Sequence, residues 1–143
     1  MTDVPTQPTG STARKANSGA GRVLVAVYGI FALAATARAS VQLLTKFEQA
    51  PLAYLLSALA ALVYIVATIT LARGTRASRR LALVAIIIEL IGVVTVGTLS
   101  VVDPEAFPRA TVWSVYGIGY GFVPLLLPIL GLAWLWRTEP VNQ

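Results

Sequence analysis

Four runs of apolar residues, about 23–44, 51–72, 81–102 and 110–136, dominate this chain of 143 residues. Each meets the roughly 20 residues that a helix rising ~1.5 Å per residue needs to cross a ~30 Å hydrocarbon layer. In such a layer every backbone N–H and C=O must be paired within the protein, which leaves helices as the natural solution for runs of this length. The expected fold is therefore all-α: a four-helix transmembrane bundle. Composition agrees, with 57% hydrophobic and 12% charged residues, where a soluble domain averages about 45–50% and about 25%.

The connections are short. "TKFEQA" (45–50) makes the first two spans an antiparallel hairpin, "RGTRASRR" (73–80) joins the second to the third, and "DPEAFPR" (103–109) leads into the fourth. Residues 1–21, rich in Pro, Gly, Ser and Thr, have too little apolar surface to offset their ordering entropy and are expected to form a disordered tail. Residues 138–143 form a second short tail. The transmembrane domain is expected over 22–137. The first apolar run is too long for a signal peptide and reads as an anchor.

Orientation follows from the basic residues. Arg14, Lys15 and Arg22 precede the first span, Arg73, Arg76, Arg79 and Arg80 fill the second link, and Arg137 follows the fourth span. Only Lys46 and Arg109 lie at the other end, with Arg38 near it. The positive-inside rule puts both termini in the cytoplasm. Trp134 and Trp136 are then expected at the inner interface, and Phe47, Tyr54, Phe107 and Trp113 at the outer one. The net charge of +5 reads as topology signal and as contact with anionic lipid at the cytoplasmic face, with no nucleic-acid partner implied.

Two ionisable groups lie inside the spans, Arg38 and Glu89, and such groups are costly in hydrocarbon. Glu89 shares its helical face with Ala82, Ala85, Gly92 and Ser100, a small and polar stripe that suits close helix packing. The second span offers a matching ridge of Ala53, Ser57, Ala61, Tyr64 and Thr68. Tyr64 and Glu89 both fall about 10–12 Å from the cytoplasmic side, which predicts a Tyr64–Glu89 hydrogen bond. The bond reads foremost as a clamp between spans two and three, with a proton- or cation-coupling carboxylate as the rival role. Small multidrug transporters have four spans too, but their membrane glutamate lies in the first span, where this chain has none.

Arg38 continues along its face to Gln42 and Thr45, a polar ladder that ends at the outer surface. It can snorkel to headgroups or bond to the fourth span, where Tyr120 lies at a similar depth. Proline removes a helical donor and frees the carbonyl four residues earlier. Pro124 frees that of Tyr120, and Pro128 that of Pro124. An arginine with five donors is expected to satisfy the bent backbone at Gly117–Tyr120, with the Tyr120 hydroxyl as its second candidate partner.

The stretch "GIGYGFVPLLLP" contains the Gly-Tyr-Gly of a potassium filter, but Gly117 and Ile118 stand where a filter carries Thr-Val. A re-entrant loop over 106–122 would leave 14 residues to cross, about 21 Å of helix. A continuous span bent by its prolines is expected instead, with Gly117 and Gly121 as a small-xxx-small packing pair.

The chain contains neither Cys nor His. Thiolate and imidazole chemistry are thus excluded and no metal or cofactor is implied; without His, Cys or a cluster of carboxylates, no nucleophile–base pair is expected. An enzyme is not expected. The stretches "PLAYLLSALAALVYIVAT", "IELIGVVTVGTLSVVDPEAFP" and "TVWSVYGIGYGFVPLLLPILGLAWL" resemble a group of small actinobacterial four-span integral membrane proteins. The resemblance covers about residues 22–137 and implies topology and a bacterial plasma membrane, but no catalytic residue. The expected role is non-catalytic: an accessory or scaffold component that engages lipid, a membrane protein partner or a second copy of the chain. The alternative is a small oligomeric proton- or cation-coupled transporter or channel that uses Glu89.

Overall fold

The computed structural model describes residues 9–138, with side chains from residue 19 onward. It is all-α, with no strand among the described residues. Four α-helices follow in order: α1 (Thr9–Thr45), α2 (Pro51–Arg73), α3 (Arg76–Val102) and α4 (Val123–Arg137). Their boundaries have local causes. Pro51 opens α2 at a position where a missing N–H costs nothing. Gly74 ends it with φ 71°, a left-handed conformation that glycine adopts without steric cost. Thr75 then caps α3 by accepting the Ser78 N–H at 3.1 Å.

Helix α1 begins at Thr9, so residues 9–21 continue the first span as helix where an irregular tail was expected. Once a span has nucleated, each added residue needs no new nucleus, and Ala, Arg and Lys in "STARKANSGA" propagate it well. Residues 1–8 of that tail, and 139–143 at the other end, lie outside the described residues.

Helices α1, α2 and α3 are each long and apolar enough to cross a membrane. The fourth run behaves differently from the expected bent span. Ser114–Tyr120 and Val123–Arg137 form a pair bent by 97°, and α4 has only 15 residues, about 22 Å of helix. Left-handed backbone at Val115, Tyr116, Gly117, Gly121 and Phe122 breaks the run. Pro124 therefore sits in the first turn of α4, where it starts a helix and does not kink one; Pro128 lies inside.

Helix α1 packs along α2, α2 along α3, and α3 along both α4 and the folded-back Ser114–Tyr120 segment. Alanines line these seams: Ala32, Ala35 and Ala39 in α1, Ala53, Ala60, Ala61 and Ala67 in α2, Ala82 and Ala85 in α3. Small side chains let the backbones approach closely, which is how helices associate when lipid is as apolar as leucine. Outward, the bundle exposes Leu33, Leu44, Leu62, Ile91 and Val102, a surface suited to hydrocarbon and hazardous in water. Trp136 is 87% exposed, whereas Tyr54 and Trp113, expected in an outer aromatic belt, are only 2% and 1% exposed. Both are core residues, because the chain after α3 folds inward.

Candidate functional site

Glu89 is fully buried, at 0% exposure. The face on which it was placed by helical period is indeed inward, since Ala82, Ala85, Val93 and Val96 are buried with it. Its partner differs from the expected one. The Tyr28 hydroxyl of α1 donates to Glu89 Oε1 at 2.7 Å, and Glu89 Oε2 is buried without a hydrogen-bond partner. Tyr64 faces elsewhere: its hydroxyl accepts the Trp113 indole N–H at 3.1 Å. The clamp thus joins α1 to α3, and a second clamp joins α2 to the folded-back segment. Depth alone placed Tyr64 beside Glu89, but Tyr28 lies six residues past Arg22 and Glu89 nine past Arg80, so Tyr28 was an equally legible candidate. Gly131 of α4 completes this region, because a side chain there would crowd Ile86 and the Tyr28 hydroxyl.

Arg38 reaches toward the fourth run as expected, through the second of its two candidate partners. Its Nη1 donates to the Tyr120 hydroxyl at 2.7 Å and its Nη2 to the Ala110 carbonyl at 3.3 Å. The Tyr120 carbonyl takes no part. With the run broken at Gly121–Phe122, Pro124 no longer faces a helical carbonyl four residues back. The Phe122 N–H instead closes a turn onto the Gly117 carbonyl at 3.0 Å.

Arg38 and Glu89 do not meet. A column of aromatic rings lies between them: Tyr28 against Tyr64 at 6.2 Å, Tyr64 against Phe31 at 5.6 Å, and Phe31 against Tyr120 at 5.6 Å between centroids. Tilted and edge-to-face contacts of this kind are the favoured aromatic geometries. The two ionisable side chains therefore terminate one continuous internal axis that crosses from α3 through α1 and α2 to the fourth run.

From Thr111 into the folded-back segment, hydroxyl side chains accept backbone donors that lack helical partners. The Val115 N–H donates to Ser100 Oγ at 2.8 Å, the Thr111 N–H to Ser114 Oγ at 2.8 Å, and the Trp113 N–H to Thr111 Oγ1 at 3.0 Å. Irregular backbone at membrane depth requires such internal partners. The Trp113 ring lies over Gly92 and the Tyr116 ring over Gly97, where a β-carbon would collide with either ring. Gly117 is buried against Pro124. The glycines thus pack rings and a turn, and Gly121 lies at the break with open space about it; neither joins a small-xxx-small helix seam.

Sequence reasoning also missed Arg79. Its guanidinium donates to the Leu135 and Thr138 carbonyls and to Thr138 Oγ1. It thereby closes the C-terminal end of α4, whose last carbonyls have no helical donors. Read as one of four link arginines, it carried no mark of that role.

Among the described residues no cluster of His, Cys, Asp or Glu could hold a metal ion. The fold and its internal axis define a small helical bundle with membrane-spanning character. No family model, curated protein or solved structure matches the chain.

Proposed function

We propose that the chain is a non-catalytic, multi-pass component of a bacterial plasma membrane, of the actinobacterial kind its sequence resembles. Both termini are cytoplasmic in this reading, and anionic lipid contacts the arginine-rich end. The protein serves as an accessory or scaffold that presents its helix faces to lipid, a membrane protein partner or a second copy. One observation carries the reading: both charged groups within the spans are engaged in joining parts of the bundle, buried Glu89 to Tyr28 and half-buried Arg38 to Tyr120 and Ala110. Glu89 has no exposed surface from which to exchange an ion, and the absence of His and Cys leaves no general base of the usual kind.

A coupling role for Glu89 is the second reading, and Oε2 without a partner favours it, because an intramembrane carboxyl with spare capacity can take a proton or cation. Proteoliposome flux assays separate the two. Neither wild type nor Glu89→Gln should carry proton- or cation-coupled flux. Flux present in wild type and lost in the variant would overturn the scaffold reading.

A further inference from the structure

At the end of the bundle opposite the arginine-rich link, a cavity of about 420 Å³ opens between α1, the start of α2 and the chain leading into the fourth run. Arg38, Gln42, Lys46, Gln49, Tyr54 and Arg109 supply its polar lining, and no acidic residue among the described ones lines it. Three cationic side chains therefore line one space: Arg38 from α1, Lys46 just past its end, and Arg109 from the link into the fourth run. The remaining polar groups are two amides and a phenol, each able to donate.

We propose that this cavity binds a phosphate group, carried as the headgroup of an anionic membrane lipid. The volume lies in the range of sites that enclose small ligands. Arg38 is already held in place by Tyr120 and the Ala110 carbonyl, so two of its five N–H groups are used and the rest remain. A guanidinium fixed by its neighbours is a preorganised fork for phosphate oxygens. Like charges repel when brought together without a counter-charge, and an anion among these three relieves that repulsion. Snorkelling alone does not require Arg38 to be anchored, nor Lys46 and Arg109 to share its cavity.

The position selects a lipid over a free anion. Val41 lines the cavity and is exposed, and on the same face of α1, deeper toward the bilayer centre, Ala37, Ala34 and Ile30 are exposed too. A headgroup in the cavity would thus lay its acyl chains along an apolar helix face. With the proposed orientation the lipid belongs to the outer leaflet, away from the arginine-rich link to which anionic contact is otherwise assigned. The assignment deepens the binding role proposed above and rests on it.

Native mass spectrometry of the full chain tests it, with phosphatidylglycerol and phosphatidylcholine offered at equal concentration. Wild type should retain the anionic lipid at least tenfold better. Lys46→Gln/Arg109→Gln should lose most of that preference, while Arg76→Gln/Arg80→Gln, which weakens only the contact at the other end, should keep most of it. Arg38 is left intact in both because it also holds the fold. A preference unchanged in the Lys46→Gln/Arg109→Gln variant, or none in wild type, overturns the proposal. In a thermal-shift arm, millimolar inorganic phosphate should protect wild type less than the lipid does. Equal protection would assign the cavity to a free anion and overturn the lipid source. Flux measured on the same preparations reports separately on the scaffold reading, so failure of either is distinguishable from failure of the other.

Discussion

At the scale of single residues, the informative pair is Tyr28 and Glu89. A buried carboxyl that loses its donor keeps its desolvation cost, so the loss exceeds the net worth of the bond itself. Interhelical hydrogen bonds in membranes are nonetheless modest, because the unfolded chain also finds partners. Tyr28→Phe should therefore destabilise the protein by about 1 kcal/mol in detergent unfolding. A double-mutant cycle with Glu89→Leu, which removes the acceptor, should return most of that as coupling, and the Tyr64–Glu89 cycle should return less. Equal coupling in the two cycles would mean that the carboxyl is shared between the tyrosines. The inward direction of Glu89 was legible because Ala82, Ala85 and Ser100 recur on its face at helical spacing. The identity of its donor was not, because two tyrosines on different helices satisfied the same estimate of depth.

At the scale of elements, hydropathy located three continuous helices and gave no sign of the 97° break in the fourth run. A window of apolar residues records how much of the chain prefers hydrocarbon, but it is blind to the sign of φ. The glycines near Tyr120 signalled close packing, and nothing in their spacing distinguished a seam from a turn. The left-handed residues Val115, Tyr116 and Phe122 carry no such signal at all, since non-glycine side chains rarely adopt that region. They persist because Ser100 accepts the Val115 N–H and the Tyr116 ring is seated on Gly97. Strain of this kind costs on the order of 1–3 kcal/mol per residue and needs surroundings that over-determine it. Gly117→Ala should thus be strongly destabilising, by about 2 kcal/mol or more, since φ is +84° and a β-carbon would strike Pro124. Val115→Gly should be neutral or stabilising despite the lost side chain, because φ of 49° suits glycine. Thermal denaturation of both variants in micelles checks the element directly. If Val115→Gly is the more damaging, the folded-back turn is wrong.

At the scale of the whole molecule, the charge asymmetry that suggested a topology can be tested without background, because the chain has no cysteine. A membrane-impermeant maleimide should label Glu105→Cys in intact cells and label Arg76→Cys only after permeabilisation. The reverse pattern would invert the bundle and move the basic cavity to the inner leaflet. Arg79 shows that the asymmetry has a second use. One of the arginines counted toward orientation also closes α4, so a charge count alone does not separate a topology signal from a folding contact.

The shortness of α4 has a further physical consequence. Helices α2 and α3 have 23 and 27 residues, whereas 15 residues leave α4 about 8 Å short of a ~30 Å hydrocarbon core. The folded-back turn covers that deficit against α3, but Ile118 and Phe122 remain exposed. Hydrophobic mismatch is therefore concentrated on the flank of α4. Acyl chains beside α4 must thin or tilt to meet it, at a fraction of a kcal/mol per ångström. Such a flank favours shorter chains, and two copies that join along it would share one thinned patch of bilayer in place of two.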